Sequence, residues 1–259
     1  MTGSTDGLGL AAARTLLNEG HEVLLHARSR ERAAALDGLA PQAAGIVIGD
    51  LSSAAATRDL AWQVNAHGRM DAIIHNAGVY VSPGRVATAE GHSRTLAVNV
   101  LAPYLLTALI ERPARLIYIS SGMHHGAGGD LRDIDWTARR WNAGAAYSES
   151  KLYVSALAAS VARHWPAVLS NSVDPGWVPT KMGGAGAPGD LAMGHDTQRW
   201  LAVSDDPAAL VSGKYFHHRR QRSPAPEVTD TDFQDRLTDR LAGLTGTTLF
   251  PRNERAAGA

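Results

Sequence analysis

The chain has 259 residues, of which 44% are hydrophobic and 19% are charged, and this length and composition predict a single domain with one sizeable core. Its 25 Lys and Arg residues balance 25 Asp and Glu residues, so the zero net charge argues against nucleic acid as a partner. It contains no cysteine, which excludes disulfides, cysteine-held metals and a thiol nucleophile.

From residue 10 to about residue 210, short apolar runs of β type alternate with Ala- and Leu-rich segments of helical period. This alternation predicts an α/β fold of the doubly wound Rossmann type, with a parallel sheet flanked by helices on both faces. The expected strands lie at 22–27, 45–49, 71–75, 115–120, 168–173 and 212–216. The expected helices lie at 7–19, 29–38, 54–67, 88–111, 145–164, 190–202 and 229–242.

Neither a repeat nor a linker divides the sequence, so we expect one domain over residues 1–250 and a flexible tail at 251–259. The Gly-rich segment 122–146 and the Gly/Pro-rich loop 176–189 are long, and long loops are often functional lids. The basic run at 217–222 is expected to be a solvated loop. Since neither a run of about 18 apolar residues nor a signal peptide is visible, we expect a cytoplasmic protein that does not bind membranes.

A glycine-rich motif, TGSTDGLG at residues 2–9, directly precedes the first predicted helix. Gly3, Gly7 and Gly9 permit tight turns, and a helix N-terminus offers unpaired N–H groups to a pyrophosphate. The motif taken alone is equally compatible with an ordinary Gly-rich helix start.

The end of the next strand indicates which dinucleotide would bind. Its sequence is HARSRER, where Arg28 stands in place of the acidic residue that binds the ribose hydroxyls of NAD. An arginine here accommodates the 2′-phosphate of NADP, so NADP(H) is the expected cofactor. The alternative is that Arg28 and Arg30 simply begin a solvated helix.

Further motifs follow in a fixed order, each weak alone and strong as a set. They are Asp50–Leu51, Asn76–Ala77–Gly78, Asn99 in LAVNVLAPYLLT, Ser121 in IYISS, Tyr147 and Lys151 in YSESK, and PGWVPT at 175–180. With them the chain resembles the short-chain dehydrogenase/reductase family over nearly its whole length. The Ser121 to Tyr147 gap and the SKLY and SGKYF runs look most like its retinol-dehydrogenase-like and daunorubicin-ketoreductase-like branch.

Tyr147 and Lys151 are spaced four residues apart, which places them on one helical face. Hydride transfer at a carbonyl carbon requires a proton to be given to, or taken from, the oxygen. A nearby cation is expected to lower the tyrosine pKa from about 10, although a surface pair would share this spacing. The resemblance implies that Ser121 hydrogen-bonds the substrate oxygen, with Ser120 as the alternative hydroxyl. It also implies that Lys151 binds the nicotinamide ribose and that Asn99 holds a water linking Lys151 to solvent.

The resemblance also implies a cofactor site in which Asp50 holds the adenine ring and the PGWVPT segment reaches the carboxamide. Asp174 precedes that segment, where the family often has other residues, and no function is attached to it. The expected cofactor-binding residues are Gly3, Ser4, Thr5, Asp6, Gly7, Leu8, Gly9, Arg28, Asp50, Leu51, Asn76, Ala77, Gly78, Tyr147, Lys151, Pro175, Gly176, Val178 and Thr180.

Substrate contacts are expected from the two irregular stretches and the helix after them, which would form an apolar pocket tolerant of aromatic groups. The candidates are Met123, His124, Trp141, Trp177, Met182 and Trp200. The pairs His124–His125 and His217–His218 do not predict a metal site, because adjacent histidines rarely point to one ion.

The family's first strand is almost absent, because the sequence begins MTG. In the expected order 3-2-1-4-5-6-7 that strand is central, so its loss would leave backbone groups unpaired. Three explanations are open: Met1 is itself a strand residue of a longer natural chain, another segment fills the position, or the chain is a non-enzyme. We favour the first.

The resulting hypothesis is an NADP(H)-dependent oxidoreductase that interconverts a carbonyl and an alcohol on an apolar small molecule, with Tyr147 as acid and base. The alternatives are epimerisation, reduction of an activated double bond, or a nucleotide-sensing protein without turnover. Members of the family usually form dimers or tetramers through helices that correspond to 88–111 and 145–164, so a homodimer or homotetramer is considered.

Overall fold

The computed structural model describes residues 1–80 and 83–251, so the expected tail falls, beyond residue 251, outside the described residues. The strands are β1 (Leu24–Ala27), β2 (Gly45–Ile48), β3 (Ala72–His75), β4 (Arg115–Ile119), β5 (Leu169–Asp174), β6 (Tyr215–His217) and β7 (Arg220–Arg222). The helices are α1 (Gly7–Asn18), α2 (Arg30–Ala33), α3 (Ala54–Asn65), α4 (Arg94–Leu96), α5 (Ala102–Leu109), α6 (Ala143–His164), α7 (Leu191–Val203), α8 (Pro226–Thr229) and α9 (Thr231–Thr245).

The strands confirm the predicted α/β fold. β1 pairs with β2 in parallel, and β3, β4, β5 and β6 follow one another in parallel, with β7 antiparallel at the edge. Successive residues of a strand face opposite sides of the sheet. Leu116 and Tyr118 therefore join a core that includes α5, α6 and α9, whereas Ile117 and Ile119 join a second core that includes α1 and α7.

Residues 1–4 lie between β1 and β3, in the position of the expected first strand. The Thr2 N–H donates to the Ile74 carbonyl at 3.0 Å on one side, and the Ser4 N–H donates to the His26 carbonyl at 3.1 Å on the other. These residues bridge the two groups of strands, although the segment is too short to form a regular strand of its own. The backbone groups of β1 and β3 that were expected to lack a partner are thus partly hydrogen-bonded.

Three elements differ from the sequence prediction. The helix expected at 29–38 is one α-turn followed by a 3₁₀ turn, and the helix expected at 88–111 begins at Arg94 and contains a π-helical turn at Ala97–Leu101. The basic run at 217–222 is not simply a loop, because β6 and β7 form a hairpin there. His218 and Arg219 occupy the turn with φ of 48° and 59°, a left-handed conformation that glycine usually marks.

The C-terminal segment covers the outer face of α6. The Phe233 ring stacks on Tyr153 at 6.4 Å between centroids, and Arg163 forms an ion pair with Asp235. Of the 22 residues of α6, 16 are buried. The chain's own α8 and α9 therefore occupy much of the surface through which a second subunit was expected to bind.

Among the described residues, none of the helices combines the length and hydropathy needed to cross a membrane. The same part of the chain brings together no group of three His, Asp or Glu side chains that could hold a metal ion.

Candidate active site

The glycine-rich turn joins the N-terminal residues, which lie between β1 and β3, to α1. Gly3 and Gly7 have φ of 68° and 50°, the left-handed region in which glycine is tolerated and side chains are strained. A Cβ atom on Gly9 would lie 2.1 Å from the Gly3 carbonyl oxygen, so only glycine fits there. The Asp6 carboxylate caps α1 by accepting from the Gly7 N–H at 2.9 Å. The turn leaves an open cradle at the helix N-terminus, where backbone N–H groups can receive phosphate oxygens.

The His26 side chain, which lies in β1, holds this turn. The Gly3 N–H donates to His26 Nδ1 at 2.9 Å, so His26 Nε2 carries the proton and donates to the Gly49 carbonyl at 2.9 Å. Burial lowers the pKa of His26 to about 4 and keeps this neutral tautomer. His26 was missed from the sequence, where its one signal is a polar residue inside a buried strand.

Thr2 fastens the Asn76–Ala77–Gly78 turn to the glycine-rich turn. Its hydroxyl oxygen accepts from the N–H groups of Asn76 at 2.9 Å and Ala77 at 3.0 Å. The Asn76 side-chain amide donates to the Thr2 carbonyl at 3.1 Å. These bonds bring two motifs more than 70 residues apart to one edge of the sheet.

A cavity of about 1100 Å³ opens along this edge of the sheet. It is lined by every cofactor-binding residue named from the sequence except Ser4. Ser4 is buried beneath the turn, where its hydroxyl donates to the Met1 carbonyl at 2.9 Å and accepts from the His26 N–H at 3.2 Å. Its contribution is therefore to support the turn. The open groove and the glycine cradle fit a dinucleotide.

One end of the cavity is basic. Burial alone would raise the pKa of Asp50, but hydrogen bonds from Ser52 together with the charges of Arg94 and Arg28 hold it below its ordinary value. Arg28 lies exposed at the rim. Arg32, which the sequence did not single out, donates to the Thr5 hydroxyl at 3.3 Å beside the glycine-rich turn.

The other end carries Ser121, Tyr147 and Lys151. Ser121 follows β4, and the other two lie on α6. Ser121 and Tyr147 line this end of the cavity together, and the Ser121 hydroxyl lies close enough to the phenol to affect its pKa. The Lys151 ammonium donates to the Ile119 carbonyl at 2.7 Å and lies 5.5 Å from the centre of the Tyr147 ring.

The protonation of Tyr147 differs from what was expected from the sequence. Burial raises the pKa of Tyr147 to about 12, and the Asp174 charge adds to the effect while the Ser121 hydroxyl opposes it. Burial also lowers the pKa of Lys151 to about 8. The expected lowering of the tyrosine pKa is absent because the desolvation of the phenol is the largest effect on it. Tyr147 is thus a neutral acid that holds its proton at neutral pH.

Asn99 lies behind the cavity, in the π-helical turn. Its side-chain oxygen accepts from the Val79 N–H at 2.8 Å, and its amide donates to the Val79 carbonyl at 3.0 Å and to the Ser150 hydroxyl at 2.9 Å. A Cβ on Gly78 would lie 3.3 Å from Lys151 Nζ and 3.5 Å from the Asn99 oxygen. Asn99 therefore positions the turn beside Lys151, and its role in holding a water stays a prediction.

Apolar side chains surround the mouth of the cavity. Met123, Trp177 and Met182 line it, as expected, and each is largely exposed. Tyr80, a residue that no sequence motif marks, also lines it, with its ring 5.3 Å from that of Tyr147. An apolar and partly aromatic surface therefore adjoins the phenol.

Three residues predicted to contact substrate lie elsewhere. His124 is fully buried, donates to the Ser121 carbonyl at 2.8 Å and accepts from the Ala225 N–H at 3.0 Å, so it supports the turn after Ser121. Trp141 packs edge-on against Trp136 at 5.9 Å, and Trp200 belongs to the second core. The Gly-rich stretch thus contributes only its first part, up to Met123, to the cavity.

A glycine cradle and a serine, tyrosine and lysine grouped at the far end of one groove on a parallel sheet define a Rossmann-type oxidoreductase. A family model described as short chain dehydrogenase matches residues 1–188. The chain belongs to the short-chain dehydrogenase family, whose members are oxidoreductases that bind a nicotinamide cofactor.

Individual relatives agree with this assignment. The short-chain dehydrogenase chyC of Penicillium rubens is 44% identical over 96% of this chain and 97% of its own length. Human retinol dehydrogenase 13 is 29% identical over 95% of this chain and 83% of its own length, which confirms the expected branch. A short chain dehydrogenase from Burkholderia cenocepacia, solved in complex with NADP, has a TM-score of 0.65 at 21% identity and covers 83% of this chain and 93% of that chain.

Proposed function

We propose that this chain is an NADP(H)-dependent carbonyl reductase and alcohol dehydrogenase that acts on an apolar small molecule. The observation that carries the proposal is that Ser121 and Tyr147 lie together at the apolar end of the cavity that begins at the glycine cradle. Two hydroxyl groups that point to one place can hold a carbonyl oxygen and supply its proton. The other end of the cavity, at Arg28, suits the 2′-phosphate of NADP.

The residues divide the reduction between them. A nicotinamide cofactor held by the glycine-rich turn and by residues 175–180 would supply the hydride for the carbonyl carbon. The Ser121 hydroxyl orients the carbonyl oxygen, and the Tyr147 phenol donates its proton to that oxygen as negative charge develops. The Lys151 cation stabilises the phenolate that remains, because an opposite charge nearby favours the ionised form. In the oxidation of an alcohol the same phenolate accepts the proton.

The Met123, Trp177 and Met182 side chains supply the apolar walls for the substrate. Retinol dehydrogenase 13, a relative of this chain, is named for an apolar alcohol. An apolar carbonyl compound is therefore the class of substrate that we propose.

The test uses the purified chain with NADPH and NADH in separate titrations, followed by Trp fluorescence, and then with a panel of aromatic and aliphatic ketones. We expect tighter binding of NADPH than of NADH, and NADPH oxidation that depends on the ketone. Tyr147→Phe should keep NADPH affinity and lose nearly all turnover. Binding without turnover in the unaltered chain would support a nucleotide-sensing protein, and binding of neither nucleotide would contradict the proposal.

A further inference from the structure

Asp174 is a carboxylate inside the apolar end of the cavity. It is the last residue of β5, beside the end of β4, where the Ser120 N–H donates to the Val173 carbonyl at 2.7 Å. It lines the cavity together with Ser121 and Tyr147, and 16% of its side chain is exposed. The residue therefore lies where the reacting part of a substrate would bind.

The charge of Asp174 is less well compensated than that of the other acidic residues lining the cavity. Asp6 is paired with Lys181 at 2.5 Å, and Asp50 lies near Arg28 and Arg94. Within the described part of the chain, the ion-pair partner of Asp174 is a histidine, His217, whose Nδ1 is 3.3 Å from Oδ2. Neither a lysine nor an arginine of the described residues neutralises this carboxylate at ion-pair distance.

The carboxylate also retains acceptor capacity, since two oxygens offer about four sites. Oδ1 accepts from the Gly176 N–H at 2.9 Å, and the Tyr215 hydroxyl lies near the same carboxylate. A Cβ on Gly122 would lie 3.1 Å from Oδ2, so the absence of a side chain there leaves this oxygen accessible. Gly122 follows Ser121 directly, which places the accessible oxygen next to the site proposed for the carbonyl.

We propose that Asp174 is a specificity residue that accepts a hydrogen bond from a hydroxyl, amide or ammonium group carried close to the substrate's carbonyl. The inference rests on the proposed function and narrows it from any apolar carbonyl compound to one with a donor beside the reacting group. A carboxylate in an apolar cavity binds such a donor strongly, because charge-assisted hydrogen bonds gain strength where water is excluded. A plain ketone would leave the remaining acceptor sites of the carboxylate desolvated and without a donor, which disfavours its binding.

The first measurement compares kcat/KM for 2-hydroxyacetophenone and acetophenone with NADPH. The readout is the ratio of the two values within each variant, so a general loss of activity cancels. We expect Asp174→Asn to lower this ratio by about tenfold, the usual scale of one charge-assisted hydrogen bond. Asp205→Asn is the matched control, because that side chain is 94% exposed, and it should leave the ratio unchanged. Gly122→Ala brings a methyl group toward Oδ2 and should lower the ratio as well.

An unchanged ratio in Asp174→Asn overturns the proposal. A loss of NADPH affinity with an unchanged ratio also overturns it, because the carboxylate would then serve the cofactor's carboxamide. If Asp174→Asn does not fold, the ratio in Gly122→Ala decides in the same way.

A second measurement separates this proposal from the proposed function. Calorimetry in the presence of NADP compares the binding of 2-amino-1-phenylethanol with that of 1-phenylethanol. A preference for the amino alcohol that Asp174→Asn removes supports the donor site even where neither ketone is reduced, in which case only the proposed function fails. The absence of such a preference, or of any binding, overturns the donor site, while turnover of acetophenone would leave the proposed function standing.

Discussion

The Lys151 ammonium group donates a hydrogen bond of 2.7 Å to the Ile119 carbonyl, at the end of the strand that leads to Ser121. This bond links the helix that carries Tyr147 to the strand that positions Ser121. The ammonium group is buried, and the pKa of Lys151 falls to about 8 as a result. The molecule therefore keeps a charged group in a place where that charge lowers the stability of the fold.

Replacement of Lys151 by Met should stabilise the protein and abolish its turnover. The lowering of the pKa from 10.5 to about 8 corresponds to about 3 kcal/mol at neutral pH. Methionine removes the buried charge and fills a similar volume, so the free energy of unfolding in urea should rise by up to that amount. Lys214→Met, at an exposed position, is the control and should not change it. A lower unfolding midpoint for Lys151→Met would contradict this account.

The rate of reduction should depend on pH through the same lysine. Below its pKa of about 8, Lys151 is charged, and above it the charge is lost. Tyr147, with a pKa of about 12, stays protonated throughout. We expect kcat/KM for ketone reduction to fall as pH rises beyond about 8, in a series from pH 6 to 10. A profile that stays flat to pH 10 would show that Lys151 does not titrate in this range.

The stability of the folded chain should rise with pH over the range in which the rate of reduction falls. Between pH 8 and 10.5 the unfolded chain holds the Lys151 proton more tightly than the folded chain does, and stability rises with pH wherever the unfolded state binds more protons. The difference in unfolding free energy between the original chain and Lys151→Met should therefore shrink over this window.

Much of the architecture could be predicted from local patterns. Each buried parallel strand is a short apolar run next to a helix of regular period, so the strands were placed to within about three residues. The glycine-rich turn could be predicted because its geometry admits only glycine at certain positions, and this requirement is visible in the sequence as a spaced set of glycines before a helix. What was missed depends on contacts between distant segments, such as His26 bound to Gly3 and His124 bound to Ala225.

The protonation state was mispredicted for a related reason. The spacing of Tyr147 and Lys151 correctly suggested proximity, but the direction of the pKa shift depends on how deeply each group is buried. Burial in turn depends on segments distant in the sequence, since Lys151 lies against the Ile119 carbonyl and Tyr147 lies beside the ring of Tyr80. Nothing in the five residues YSESK carries that information.

Arg28 should set the preference between the two nicotinamide dinucleotides. Arg28→Ala is expected to weaken NADPH binding by about tenfold or more, because a hydrogen bond between charged groups is lost, and to change NADH binding little. Arg30→Ala removes an exposed charge two residues away that does not line the cavity, and it should affect neither nucleotide. Equal losses for NADPH and NADH would show that Arg28 does not contact the 2′-phosphate.

The chain should be a monomer in solution. The helix that was expected to carry subunit contacts, α6, is covered by α8 and α9, and the Tyr104 hydroxyl of α5 donates to the Thr247 carbonyl at 2.8 Å. Light scattering after gel filtration should give a mass near 27.4 kDa. A mass of twice that value would mean that a different surface forms the dimer.

The stretch at 127–142 is held to α6 by a buried ion pair, and breaking one side of it should be costly. Glu149 lies between Tyr147 and Lys151, with 5% of its side chain exposed. Its carboxylate accepts two bonds of 2.8 Å from Arg139 and one of 2.9 Å from the Trp136 indole. Loss of Arg139 would leave this carboxylate buried without its cation.

We therefore expect Arg139→Ala to lower the free energy of unfolding by about 3 kcal/mol, the scale for removing one partner of a buried pair. Replacing both members of the pair, Arg139→Met with Glu149→Met, should recover part of that loss, since the buried Glu149 carboxylate is then removed, although Asp133, which also pairs with Arg139 at 3.3 Å, still loses its cation. Arg132→Ala is the control, because Arg132 pairs with Asp130 at an exposed site, and its unfolding midpoint should not change. A double variant less stable than Arg139→Ala would contradict this account. It would show that an unpaired Glu149 carboxylate costs less free energy than its burial suggests.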